Sequence, residues 1–100
     1  MSDQPVTLVN ILDVEPDRQQ ELIDLLTRGG EEVIRHRPGF VSLTLFASHD
    51  RRRVINVAQW ISAADAAATQ SDPHAADYAA RVATVATATP GLYSIASEIR

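Results

Sequence analysis

Phe40-Val41-Ser42-Leu43-Thr44-Leu45-Phe46-Ala47-Ser48, then His49-Asp50-Arg51-Arg52, then Arg53-Val54-Ile55-Asn56-Val57-Ala58-Gln59-Trp60 is the stretch from which the fold can be read. Its first part alternates, with Val41, Leu43, Leu45 and Ala47 on one face and Ser42, Thr44, Phe46 and Ser48 on the other. That is the period of a β-strand. Four polar residues turn the chain, and Arg53 to Trp60 returns as a second strand. The unit is a β-hairpin with a somewhat long loop.

Upstream of the hairpin the period changes. Pro38-Gly39 ends a helix that the spacing predicts from about Asp17 to Arg37, where Leu22, Ile23, Leu25, Leu26, Val33 and Ile34 recur at three and four residues. Gly29-Gly30 in its middle costs ~1 kcal/mol per residue relative to alanine. Either the helix bends there or another surface approaches closely. Before it, Val6 to Val14 is apolar on both faces, as a central strand covered on two sides would be. Glu15-Pro16-Asp17 breaks that strand and starts the helix.

Downstream, Ser62 to Thr69 reads as a short helix, with Ser62 as N-cap and Asp65 three residues on. Ser71-Asp72-Pro73 is a second cap with proline at the first turn. An alanine-rich helix is predicted from His74 to Thr87, ended by Pro90-Gly91, with Leu92 to Ile99 as the last strand. The order β-α-β-β-α-β is the ferredoxin-like split unit, an α+β fold with a four-stranded antiparallel sheet and one domain over residues 1–100. Two helices cover one sheet face. The other face carries apolar residues and needs a partner, most economically a second copy in a homodimeric barrel.

Composition narrows the chemistry. The chain has 100 residues, 45% hydrophobic and 22% charged, enough for one real core. Nothing approaches roughly 18 consecutive apolar residues, so no transmembrane helix is expected and no membrane partner is implied. No basic leader precedes an apolar run, which favours a cytoplasmic chain over a secreted one. With no cysteine there is no disulfide framework, thiolate metal site, iron–sulfur cluster or cysteine nucleophile. Three scattered histidines leave little for zinc. A net charge of −4 argues against nucleic acid as the default partner. Arg51-Arg52-Arg53 is the one basic run, at the hairpin tip. All nine cations are arginine, a composition bias with little chemical content.

Candidate site residues lie on the return strand. Asn56, Ala58 and Trp60 share a face, with Asn56 and Trp60 about 13 Å apart along the backbone. A carboxamide and an indole N–H flanking a small residue suit a flat, oxygen-bearing aromatic molecule. The alternative is that Trp60 anchors the core and Asn56 pairs locally. Asn10 interrupts the first strand, and in this topology the first and third strands are the central pair, so Asn10 and Asn56 come together. Two amides in an apolar cavity either form a donor set for an oxyanion or satisfy each other. His74, at the start of the second helix, is a base lowered by the helix N-terminus or a half-exposed residue beside a cap.

Asn56-Val57-Ala58-Gln59-Trp60, then Ser62-Ala63-Ala64-Asp65-Ala66 and Ser71-Asp72-Pro73-His74, with Pro38-Gly39-Phe40 before the hairpin, resemble the antibiotic biosynthesis monooxygenase family from about Thr7 to Ile99. The resemblance implies a dimeric α+β barrel and is strongest to the small cofactor-independent monooxygenases of aromatic polyketide pathways. These oxidise an anthrone- or naphthacenone-type substrate to a quinone with molecular oxygen. It makes Asn56 and Trp60, with Asn10, the catalytic candidates, and His74, Tyr78 and Arg81 candidate substrate-binding residues. No cofactor or metal is implied. Quinone-forming members use a tyrosine after the tryptophan and an arginine on the second helix; this chain has Ala66 and about Ala79 there, with Tyr78 and Arg81 nearby. Haem-degrading relatives need a further tryptophan and a histidine, where Thr69 and Tyr78 stand. The alternatives are a small-ligand-binding barrel without turnover, or a quinol- or aldehyde-directed oxygenase.

Overall fold

The alternating runs pair into one sheet of strand order β2-β3-β1-β4, every neighbour antiparallel. The computed structural model describes residues 5–100. Its elements are β1 (Val6–Val14), a 3₁₀ turn (Pro16–Arg18), α1 (Gln19–Glu32), a second 3₁₀ turn (Ile34–His36), β2 (Phe40–Ala47), β3 (Arg53–Trp60), α2 (Ala63–Gln70), α3 (Pro73–Ala83) and β4 (Ala86–Tyr93). This is the ferredoxin-like α+β unit, with the helical segment between β3 and β4 divided in two. No helix among the described residues is long and apolar enough to cross a membrane.

The central pair is β1 and β3, in the register Leu8↔Ala58, Asn10↔Asn56 and Leu12↔Val54. These residues face the helices. Leu12, Leu22, Val54 and Val82 form one buried cluster, and Ala58, Trp60 and Ala66 form another. Burying a side chain such as Leu12 or Leu22 contributes about 1.5–3 kcal/mol. The opposite face carries Val9, Ile11, Ile55 and Val57 in facing pairs, beside Phe46, which is 55% exposed.

Local chemistry fixes the connections. The Gln19 side chain donates to the carbonyls of Ser48 (3.1 Å) and Arg53 (2.9 Å), tying the start of α1 to the hairpin. In the loop, the Asp50 carboxylate accepts from the Arg52 N–H and the Ser48 hydroxyl, which hold its pKa below the usual carboxylate range. Ser62 caps α2 by accepting from the Asp65 N–H, and Asp72 caps α3 by accepting from His74 and Ala75, with Pro73 in the first turn. Such a cap contributes about 1 kcal/mol.

Four expectations are corrected. The helix predicted from Asp17 to Arg37 is regular only over Gln19–Glu32, with a 3₁₀ turn on either side. Gly29 and Gly30 mark a close approach: a Cβ on Gly29 would stand 3.1 Å from the Tyr78 ring, and one on Gly30 3.4 Å from Leu43. In β2 a register shift between Phe40 and Ser42 turns Val41 outward, 54% exposed, and puts Phe40 opposite Trp60. A bulge of this kind breaks the two-residue period. The second long helix stops at Ala83 rather than Thr87, and the last strand is Ala86–Tyr93 rather than Leu92–Ile99. Pro90 and Gly91 are therefore inside a strand. β4 is an edge, where a missing N–H leaves no ladder bond unmade. Thr84 and Val85 cap α3 through backbone bonds to Arg81 and Val82.

Leu12 is fully buried between β3 and α1. Leu12→Ala is expected to lower the unfolding free energy by about 2–5 kcal/mol, measured by urea denaturation, with the slope against denaturant unchanged.

Candidate active site

Between the two apolar clusters, the register places one polar rung. Asn10 and Asn56 stand opposite each other on β1 and β3, with Leu12 and Val54 on one side and Leu8 and Ala58 on the other. A cavity of about 240 Å³ opens above this rung. Leu8, Leu43 and the two amides form its sheet wall; Leu25, Leu26, Gly29 and Ile34 from α1 and its extension, and Tyr78, Ala79 and Val82 from α3, form its helical wall. The sequence thus builds an apolar chamber whose polar floor is the amide pair.

The amides do not satisfy each other. Both Oδ1 atoms are buried with no hydrogen-bond partner among the described residues. An unpartnered buried polar group costs about 1–3 kcal/mol, and ligand sites are where such groups find a use. Half a turn about its terminal bond lets either amide present NH2 or carbonyl to the cavity. The pair can therefore accept from a phenol and donate to an adjacent enolate oxygen in low dielectric.

Of the two readings of Trp60, its position in the fold matches the core anchor. Asn56 and Trp60 do not flank a common gap: the indole is 1% exposed, meets Phe40 edge to face at 5.7 Å, and belongs to the cluster with Ala58 and Ala66. Leu8, Ile34 and Leu43, which pack on that cluster, separate it from the cavity they line. The residue is a core anchor one layer behind the chamber. Its Nε1 is nonetheless buried without an acceptor. Ala66 is packed there too, so no hydroxyl replaces the family's tyrosine at that position.

His74, Tyr78 and Arg81 gather elsewhere. They line a polar groove of about 540 Å³ with Glu32, His36, Arg37 and Asp72, across the C-terminal end of α1 and the start of α3. Of the three, only Tyr78 also lines the cavity. Its hydroxyl donates to the Glu32 carboxylate, and the Arg81 guanidinium lies 5.3 Å from its ring centre. The hydrogen bond to Glu32 raises the phenol above the usual tyrosine pKa, so Tyr78 is a protonated phenol at neutral pH. Any stability it contributes is present below the ordinary tyrosine value and lost as pH rises through the raised one. Arg37, half-buried, pairs with Asp72 at 3.2 Å, while its Nε is buried without a partner.

Sequence reasoning did not find Glu32 or Arg37, and it marked Gly29 for a close approach without naming Tyr78 as the surface that approaches. Glu32 and Tyr78 are 46 residues apart on different helices, and nothing in the chain's periodicity joins them.

Comparison with known proteins bears on the family and the fold. Residues 5–81 match the family described as antibiotic biosynthesis monooxygenase. Tetracenomycin-F1 monooxygenase of Streptomyces glaucescens is 51% identical over 67 residues, which is 67% of this chain; the match spans 60% of that relative's length. A monooxygenase from the gene ActVA-Orf6 of Streptomyces coelicolor, solved with the ligand nanaomycin D, superposes with a TM-score of 0.86 at 28% identity, over 97% of this chain and 92% of that one. SnoaB, a cofactor-independent oxygenase from Streptomyces nogalater, shares the fold with a TM-score of 0.86 at 24% identity, over 96% of this chain and 97% of its own. The family match covers most of the chain, and with the sheet order and the amide rung in place, this protein belongs to the antibiotic biosynthesis monooxygenase family.

Proposed function

We propose that the protein is a cofactor-independent monooxygenase of aromatic polyketide biosynthesis, oxidising an anthrone- or naphthacenone-type ring ketone to a quinone with molecular oxygen. The observation that carries this reading is the unpartnered pair Asn10 and Asn56 facing an apolar chamber. The relative named for tetracenomycin F1 and the structure holding nanaomycin D support a polycyclic substrate class.

In the reaction a ring methylene loses two C–H bonds and gains a C=O bond. One oxygen atom stays on carbon and the other leaves as water with both hydrogens. The substrate supplies the electrons, because its enolate is electron-rich enough to reduce oxygen, so the protein needs no redox group of its own. Asn10 and Asn56 stabilise the negative oxygen of that enolate. The apolar walls exclude water and strengthen the hydrogen bonds. Trp60 keeps Phe40 and Ala58 in place behind the chamber and acts on the rings through that packing. His74 and Arg81 meet the substrate at the groove, outside the reacting centre.

A second reading, a smaller quinol-type substrate, is favoured by the cavity's volume alone. A dry cavity of about 150 Å³ accepts a benzene, and drug-sized ligands occupy about 300–1,000 Å³. The chamber, at about 240 Å³, lies between them.

The active species is proposed to be a homodimer, with the Val9, Ile11, Ile55 and Val57 face of each copy against the other. Light scattering at micromolar concentration should give twice the 10.9 kDa chain mass, and a monomeric mass would refute the dimer. Removing an oxyanion donor typically lowers kcat by about 10²–10³-fold. Asn56→Ala is expected to lose oxygen uptake with an anthrone to that extent, Asn10→Ala somewhat less, with the fold intact by circular dichroism. Unchanged uptake in both variants would remove the amides from the mechanism.

A further inference from the structure

Tyr78 is the one side chain among the candidate substrate-binding residues that lines both the amide chamber and the polar groove. It is a partition between a small apolar space and a larger polar one, about 240 and 540 Å³. Two features make that partition movable. Beneath the ring is Gly29, where no side chain blocks a sliding motion and even a Cβ would press on the ring at 3.1 Å. Above, the ring is held from the solvent side, by the hydroxyl's bond to exposed Glu32 and by Arg81. Water readily replaces surface contacts of this kind.

We propose that Tyr78 is a gate that determines ring count. Latched to Glu32, it limits the chamber to about two fused rings, by comparison with the ~150 Å³ cavity that takes one benzene. Swung outward, it joins chamber and groove, and a third and fourth ring lie along α3 while the reacting ring stays on the amides. The groove suits the oxygenated outer ring of such a molecule. Arg37 brings an unpartnered Nε there, and Arg81, His36 and His74 offer donors to hydroxyl or carboxylate substituents, with Asp72, Asp77 and Glu32 as acceptors. The inference rests on the proposed polycyclic substrate class and adds the residue pair that selects within it. Tyr78 touches the substrate; Glu32 is a positioning residue that acts through it.

The test separates the gate from the reaction by measuring binding. The chain has a single tryptophan, Trp60, one layer behind the chamber, so quenching of its fluorescence by quinones reports occupancy. A bicyclic naphthoquinone and a tetracyclic naphthacenequinone are titrated into the wild type and into Tyr78→Phe, Glu32→Ala and Glu32→Gln. Breaking one latch hydrogen bond raises the open fraction by about threefold to tenfold, and the apparent Kd for a ligand that needs the open form falls by that factor. Tyr78→Phe and Glu32→Ala are therefore expected to tighten the tetracycle by that amount and leave the bicycle unchanged. Glu32→Gln, which keeps an acceptor, should stay near the wild type. Tyr78→Phe retains the ring, so folding is not at issue. A ratio of tetracycle to bicycle affinity that is the same in all four proteins overturns the gate. Oxygen uptake with the matching anthrone and naphthacenone is measured alongside: absence of turnover in the wild type refutes the proposed reaction without bearing on the binding ratio.

Discussion

The register between β1 and β3 is the constraint on which the site depends. Antiparallel pairing puts Leu8, Asn10 and Leu12 opposite Ala58, Asn56 and Val54, and a slip of one residue would turn every one of these side chains to the other face. The burial of Leu12 and Val54 on one side, and of Ala58 and Trp60 on the other, therefore holds two amides where an apolar core would not choose to have them. Their unpartnered oxygens are a stability cost that the surrounding core offsets. The proposed function rests on that one rung of an otherwise apolar ladder.

That division of labour is how a small chain without cysteine would host the proposed oxygen chemistry. The sheet supplies rigid backbone beneath the amides, and the helices supply an apolar roof. Among the described residues, the one titratable side chain on the chamber's wall is a phenol whose pKa Glu32 raises, so it stays protonated at neutral pH and is not a base there. In the proposed reaction the chain's chemical contribution then reduces to holding an anion in a dry, shaped space. The imidazoles of His36 and His74 lie on the groove instead, beyond Tyr78.

Much of this was legible in the amino-acid sequence, for local reasons. The hairpin announces itself by its period, the caps at Ser62 and Asp72 by their side chains, and Asn10 by interrupting an apolar strand. Once the strand order was read as a split unit, Asn10 had to meet Asn56. What was not legible has physical causes too. Thr87 and Pro90 belong to an edge strand because β1 offers a free side there, whereas alanine richness and proline read locally as a helix and its end. The shift between Phe40 and Ser42 exchanges Val41 for Phe40 on the inner face, which no alternation reveals. Trp60 shares a face with Asn56, yet its packing against Phe40, Ala58 and Ala66 keeps it out of the chamber's lining. The Tyr78 and Glu32 contact, and the floor made by Gly29, arise from how α1 and α3 cross.

The central claim is that Asn10 and Asn56 stabilise an oxyanion, and a bound phenol tests it most directly. A non-oxidisable hydroxyanthraquinone bound without oxygen changes colour on ionisation, so its pKa on the protein can be read from absorbance. The account predicts that binding lowers this pKa by about one unit or more, equivalent to ~1.4 kcal/mol favouring the anion. It also predicts that Asn10→Leu and Asn56→Leu together abolish the shift while the dye still binds. A bound pKa equal to or above that of the free dye in the wild type would contradict it.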